Sequence, residues 1–179
     1  MHDVHCHFFS SRFFAALGSE KLGTEASHAA ETAAGQLGWE LFETAESLAD
    51  RWIDELNRHK VSRASLISSV HGDEESVARA VASHPNRFVG LFALNLLAHD
   101  AVERAERAMR DLALRCVCLF PAMHHYRLDD ERVVRIFEVA AANRGAVFVH
   151  CGSRSRRVPG WDSRAASTSG WVIRSCCRR

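Results

Sequence analysis

Two histidines near the start of the chain, His5 and His7, have the spacing of a metal-binding pair. They lie in Asp3–Phe8, a short β-rich segment with apolar neighbours. Because side chains alternate along a strand, both imidazoles point to one face, about 7 Å apart, and Cys6 points to the other. Imidazole is the commonest metal ligand at neutral pH. The apolar flanks argue against an exposed polar face, so the pair predicts a divalent cation site.

A third histidine, His150, ends the apolar run Val147–His150 and is followed by Cys151 and Gly152. On its own, such a residue is more often a structural histidine with a satisfied hydrogen bond. The carboxyl end of a buried strand, however, is where α/β folds place ligand-binding groups. Combined with the first pair, His150 is predicted to be a third metal ligand at the same end of the fold.

Three further polar side chains follow an earlier strand, in the segment Pro121–Tyr126. His124, His125 and Tyr126 are predicted to lie on the same rim and to contact substrate. Adjacent residues point to different sides, so we expect at most one of the two histidines to face the site.

Five short apolar runs alternate with helical patterns and define the elements that must position these residues. The runs are Asp3–Phe8, Ala64–Ser68, Phe88–Asn95, Cys116–Phe120 and Val147–His150. Nearly continuous apolar strands of this kind are buried on both faces of a parallel sheet. The segments between them carry a 3.6-residue period, so the sequence predicts an α/β fold. Residues 10–43 fit no such unit and are predicted to be a partly helical excursion after the first strand.

The composition excludes several classes of protein. Hydrophobic residues make up 47% and charged residues 25% of the 179 residues, which is ordinary for a globular chain. No apolar run approaches the ~20 residues of a membrane-spanning helix, and no signal peptide is recognisable. We therefore expect a soluble, cytoplasmic protein without membrane partners. Six cysteines would form disulfides in a small secreted chain, but here they are interpreted as thiols.

Three segments of the sequence resemble a known family. DVHCHFF, CVCLFPAMHHYRLDDERVVRIFEVA and VFVHCG are similar to segments of the amidohydrolase-related family, which includes metal-dependent hydrolases and non-oxidative decarboxylases such as aminocarboxymuconate semialdehyde decarboxylase. The resemblance covers about residues 3–152. It implies a (β/α)8 TIM barrel, here truncated after about five βα units, with its site at the carboxyl-terminal rim.

The resemblance also implies the chemistry. His5 and His7 match the first-strand ligands of a divalent metal, often zinc, and His150 matches the fifth-strand ligand. Relatives add a sixth-strand histidine and an eighth-strand aspartate that acts as general base, and neither has a counterpart here. Cys118 stands where many relatives have lysine, so no role for a lysine is carried over. The catalytic residues therefore stay unknown.

The last part of the chain differs in character from the rest. Residues 153–179 contain six serines and seven arginines, and the segment from Cys151 to Arg179 carries a net charge of +6 against −5 for the first 150 residues. We therefore divide the chain into the N-terminal part of a barrel, residues 1–152, and an aberrant tail, residues 153–179. A shifted reading frame is the preferred explanation of the tail, and a disordered basic tail is the alternative.

The leading functional hypothesis is a metal-dependent hydrolase that cleaves a C–N or C–O bond of a small-molecule substrate, present here as an inactive fragment. The first alternative is a metal-dependent decarboxylase on the same barrel. A different class of function is a non-catalytic fragment or a nucleic-acid binder that uses the basic tail, and affinity of that kind would fall steeply with salt. The sequence does not indicate an oligomeric state.

Overall fold

The structure is a computed structural model, and it describes residues 1–22 and 28–150. Within these residues seven helices and five strands alternate for most of the length. The strands are β1 (His2–Phe8), β2 (Arg63–Ser68), β3 (Phe88–Leu94), β4 (Cys116–Leu119) and β5 (Ala146–Val149). The helices are α1 (Ser11–Leu22), α2 (Ala29–Leu37), α3 (Ala45–Arg58), α4 (Glu74–Ser83), α5 (Ala101–Arg110), α6 (Pro121–His124) and α7 (Glu131–Ala142). All five predicted strands are confirmed to within a residue at either end.

The strands form one parallel sheet in the order β1-β2-β3-β4-β5. Each strand is joined to the next by a helical connection, as parallel neighbours require. The register aligns His7 with Ile67 and Phe8 with Ser68, and it shifts between Asp3 and Cys6 of β1. This arrangement confirms the predicted α/β fold and places the carboxyl ends of all five strands on one rim.

The sheet has two different faces. The larger apolar core lies between the sheet and the helices and includes Phe8, Leu66, Phe92 and Leu119. The opposite face carries a smaller apolar cluster, formed by Ile67, Leu91, Cys116, Cys118 and Phe120. Since side chains alternate along each strand, His5 and His7 lie on the same face as this smaller cluster, which we call the inner face.

The excursion after β1 is a pair of packed helices, α1 and α2, as the sequence predicted in outline. Their contact is close at Gly18, where an added Cβ would collide with the backbone of Ala29. Phe14 and Ala33 are buried between the two helices. Ser10 receives a hydrogen bond from the Phe13 N–H and so holds the start of α1. The excursion is thereby attached directly behind the histidine pair.

Two packing predictions are wrong. The 3.6-residue period of this segment predicts a buried Phe137, but Phe137 is 48% exposed, and α7 buries Val133, Ile136, Val139 and Ala140 instead. Val4, one of the apolar residues that flank the histidine pair, indicates a buried strand, yet it is 71% exposed. No helix in the described ranges is both long and apolar enough to cross a membrane.

Candidate metal centre

The histidine pair of β1 is preformed. His5 Nε2 and His7 Nε2 are 3.3 Å apart, with their rings edge to face. Two imidazoles that bind one tetrahedral zinc ion at about 2.1 Å must have their nitrogens about 3.4 Å apart. The observed separation therefore fits two ligands of a single ion, without any change in the strand.

Both imidazoles are biased toward the neutral form that binds metal. Burial lowers the pKa of His5, and the nearby His150 lowers it further, while Asp3 acts in the opposite direction. The pKa of His7 is lowered by burial and then by His5 and His150. Because only an unprotonated nitrogen can bind a metal ion, the site keeps its ligands available at neutral pH.

The second ring nitrogen of His7, Nδ1, also has a partner. This nitrogen lies 2.8 Å from the hydroxyl oxygen of Ser69, which directly follows β2. Phe9 stacks almost parallel to the His7 ring, with ring centroids 5.7 Å apart and an angle of 5° between the planes. His7 is thus contacted both by the residue that follows β1 and by the β2–α4 connection.

His150 lies beside the pair, although it belongs to the other edge of the sheet. Its ring centroid is 5.8 Å from that of His5, and Phe148 of β5 is 5.5 Å from His5. In a flat sheet, four strand spacings would separate β1 from β5 by about 19 Å. The sheet must therefore be curved like a barrel wall, so that side chains of β1 and β5 meet across the interior.

The three histidines do not form a finished three-ligand site. Across residues 1–22 and 28–150, no three His, Cys, Asp or Glu side chains are grouped so that they could hold a metal ion. The Phe120 ring stacks on His150 at 5.2 Å. The assignment of His150 as third ligand stays a prediction, and the geometry on which it rests is a preformed pair with one adjacent imidazole.

The predicted substrate residues lie further from the pair. His124 stacks on Tyr126, and its other neighbour is Phe120, which separates it from His150. Tyr126 is buried in the core on the helix side, where burial raises the pKa of its hydroxyl to about 12. His125 has the left-handed backbone conformation, with φ of 57°. A substrate role for these three residues stays a prediction.

Cys118 occupies the inner face of β4 and is completely buried. A hydrogen bond with the Cys116 side chain and burial both raise the pKa of its thiol, so it is neutral. The described cysteines, Cys6, Cys116 and Cys118, are thiols and form no disulfide within the described residues. Cys151, Cys176 and Cys177 lie outside the described residues.

Four side chains around the pair were not found from the sequence. Ser69 and Phe9 contact His7. Phe148 contacts His5, and Phe120 contacts His150. Alternation could have indicated Phe148, which lies two residues before His150 on the same strand. The position of Ser69 directly after a buried strand was a weaker signal of the same kind.

A family model described as amidohydrolase matches residues 2–172. The chain belongs to the amidohydrolase family. Members of this family usually use a divalent metal ion, which agrees with a preformed imidazole pair at the carboxyl end of β1. A search of the curated proteins finds no significant match.

Two solved structures share the fold. One is a probable 2-pyrone-4,6-dicarboxylic acid hydrolase from Acinetobacter baumannii with citric acid bound, at 13% identity and a TM-score of 0.55. The other is the 5-carboxyvanillate decarboxylase LigW from Sphingomonas paucimobilis, at 16% identity and a TM-score of 0.59. Each match covers 84% of this chain, but only 49% and 51% of the respective neighbours. The amidohydrolase chain thus spans about half the length of these enzymes and corresponds to a partial TIM barrel.

The tail assigned to residues 153–179 lies outside the described residues, as do Cys151 and Gly152. The family match extends to residue 172, past the predicted boundary at residue 152. The division of the chain at that point and the shifted reading frame stay predictions.

Proposed function

We propose that this chain carries the metal-binding half of an amidohydrolase-family enzyme that hydrolyses a C–N or C–O bond of a small molecule. The observation that carries the proposal is the 3.3 Å separation of His5 Nε2 and His7 Nε2 at the carboxyl end of β1. His5 and His7 would hold a divalent ion, zinc in our proposal, with His150 as the third ligand. Such an ion, when bound, lowers the pKa of water or polarises a carbonyl group.

The residues of the chain have distinct tasks in this proposal. Burial lowers the pKa of both His5 and His7, with a further contribution from His150, so the unprotonated forms that bind the ion are favoured. Phe9 stacks on His7 and Phe148 contacts His5, so aromatic rings flank the pair. The carboxylate of Asp3 accepts the backbone N–H of His5 at 3.1 Å and orders the strand just before the pair.

A decarboxylase is the second candidate, and one observation favours it. The side chains that touch His5 and His150 on the inner face are aromatic, namely Phe148 and Phe120. An apolar surrounding destabilises a substrate carboxylate relative to a transition state in which its charge is dispersed. Hydrolysis needs a general base near the attacking water, whereas loss of carbon dioxide does not.

The metal pair is tested by measuring the zinc content of the full chain after dialysis against a limited zinc supply. We expect wild type to retain zinc and His5→Ala/His7→Ala to lose it, per folded molecule. The matched control is His28→Ala/His59→Ala, which removes two exposed histidines, one just before α2 and one just after α3. Equal zinc content in wild type and the His5/His7 double variant would refute the proposal.

The reaction class is tested on the same preparations with amide, lactone and aromatic carboxylate substrates. Release of carbon dioxide identifies a decarboxylase, and formation of a new carboxylic acid identifies a hydrolase. We expect the chain alone to show little or no turnover with any of them, because it spans about half the length of the similar enzymes and the carboxylate beside the pair, Asp3, already accepts the backbone N–H of His5. Metal-dependent turnover by the chain alone would contradict that expectation.

A further inference from the structure

The β2–α4 connection contacts the histidine pair through the hydroxyl group of Ser69. Ser69 Oγ lies 2.8 Å from His7 Nδ1 and 3.3 Å from the carbonyl oxygen of Ile67. A serine hydroxyl has one proton to donate, and a carbonyl oxygen can only accept. Both contacts are hydrogen bonds at the same time when the Ser69 proton goes to the Ile67 carbonyl and the Ser69 oxygen accepts the hydrogen bond from His7 Nδ1.

This assignment fixes the tautomer of His7. If Nδ1 donates to Ser69, a neutral imidazole has no proton left for its second nitrogen. His7 Nε2 then carries a lone pair, and it is this nitrogen that lies 3.3 Å from His5 Nε2. The hydroxyl of Ser69 thus presents the metal-binding nitrogen of His7 toward the shared position between the two rings.

We propose that Ser69 is the positioning residue of the metal centre and selects the Nδ1-protonated tautomer of His7 before any metal binds. The inference rests on the proposed function, in which His5 and His7 hold the ion. Removal of such an outer partner typically weakens metal binding about 10- to 100-fold, because the ligand loses its orientation and its preferred tautomer.

The neighbouring serine provides a matched control. Ser68 is completely buried on the opposite face of β2, and its hydroxyl has no hydrogen-bond partner among the described residues. Ser68→Ala and Ser69→Ala remove the same atom from adjacent positions of one strand end. A general loosening of this connection would affect both variants, whereas a positioning role belongs to Ser69 alone.

The experiment measures zinc affinity of the full chain by competition with a chromophoric chelator. We expect Ser69→Ala to bind about 10- to 100-fold more weakly than wild type, Ser68→Ala to bind like wild type, and Ser69→Thr to restore binding. Valine has the shape of threonine without the hydroxyl group. Ser69→Val therefore provides the comparison with Ser69→Thr if Ser69→Ala does not fold. Wild-type affinity in Ser69→Ala or Ser69→Val, or an equal loss in Ser68→Ala, would overturn the inference.

A second readout needs no metal. Nitrogen-15 NMR of the imidazoles in metal-free protein reports which ring nitrogen carries the proton. We expect Nδ1 of His7 to be protonated in wild type and Ser69→Thr, and the two tautomers to mix in Ser69→Ala. If wild type binds no zinc at all, the proposed function fails while this measurement still decides the role of Ser69: an unchanged His7 tautomer in Ser69→Ala would refute it.

Discussion

Two adjacent ion pairs join α4 to α5, and they offer a direct comparison of a buried and an exposed charge pair. Glu74 of α4 contacts Arg104 of α5, with only 6% and 14% of the two side chains exposed. One residue further along, Glu75 contacts Arg107, with 36% and 57% exposed. The pairs share the same two helices and differ in the access of water, and Glu75 has a second, longer contact with Arg12 at 3.5 Å.

We predict that Glu74→Gln lowers the free energy of unfolding by about 3 kcal/mol, at the low end of the ~3–5 kcal/mol found when one partner of a buried pair is removed. The substitution keeps the volume but leaves the Arg104 charge buried without its partner. Arg104 Nε already lacks an acceptor among the described residues. We expect Glu75→Gln to cost about 0–1 kcal/mol, because exposed pairs contribute little.

Urea unfolding of the full chain, followed by circular dichroism, gives the free energies of both variants against wild type. A double variant, Glu74→Met/Arg104→Met, completes the test, because it removes both buried charges and keeps the apolar bulk. Its stability should return to within about 1 kcal/mol of wild type, as for other buried pairs replaced by apolar residues. If Glu74→Gln costs no more than Glu75→Gln, or the double variant is less stable than the single one, the reasoning from burial is wrong.

Three further predictions concern packing and electrostatics elsewhere in the fold. Burial raises the pKa of Asp73, which accepts a hydrogen bond from the hydroxyl of Ser10. The stability contributed by its protonated form is lost as pH rises through the folded-state pKa, so Asp73→Asn should gain stability relative to wild type in urea unfolding as the pH is raised. Gly90→Ala would place a Cβ 2.4 Å from Leu114 Cδ2 and should lower the free energy of unfolding by about 1–3 kcal/mol. Gly35→Ala adds a Cβ in open space on α2 and should raise it by about 0.5–1 kcal/mol. Equal shifts in the melting temperatures of the two variants would contradict the prediction. Thr44→Ala removes the capping box of α3 and should cost about 1 kcal/mol, with Thr44→Ser close to wild type by the same measurement.

The strands could be predicted because burial on both faces leaves a simple mark in the sequence. Runs such as Phe88–Asn95 contain almost only apolar residues, and the structure confirms a strand there, ending at Leu94. The α7 helix was harder, since Val133, Ile136 and Phe137 give it apolar residues on more than one side. Neighbouring residues of a helix are about 100° apart, so more than one apolar stripe can be drawn through them. The sequence did not decide which of them faces the sheet.

Among the contacts of the candidate site, too, one could be predicted from the sequence and another could not. The pairing of His5 with His7 depends only on the alternation of one strand, and the sequence predicts it. The contact of His7 with Ser69 depends on the register that sets His7 beside Ile67, and on the shift in β1 between Asp3 and Cys6. No local pattern specifies that register, and serine is too common at strand ends to stand out.

The contacts of the site should also differ in how strongly they respond to substitutions elsewhere in the sheet. The His5–His7 separation is set within one strand, so it should survive changes elsewhere in the sheet. The approach of His150 to His5 depends on the curvature accumulated over four strand interfaces, since β1 and β5 lie at opposite edges of the described sheet. Gly90 of β3 lies between these edges, and a Cβ added there would collide with Leu114 Cδ2. Variants of the middle strands should therefore change the contribution of His150 while leaving the first pair intact.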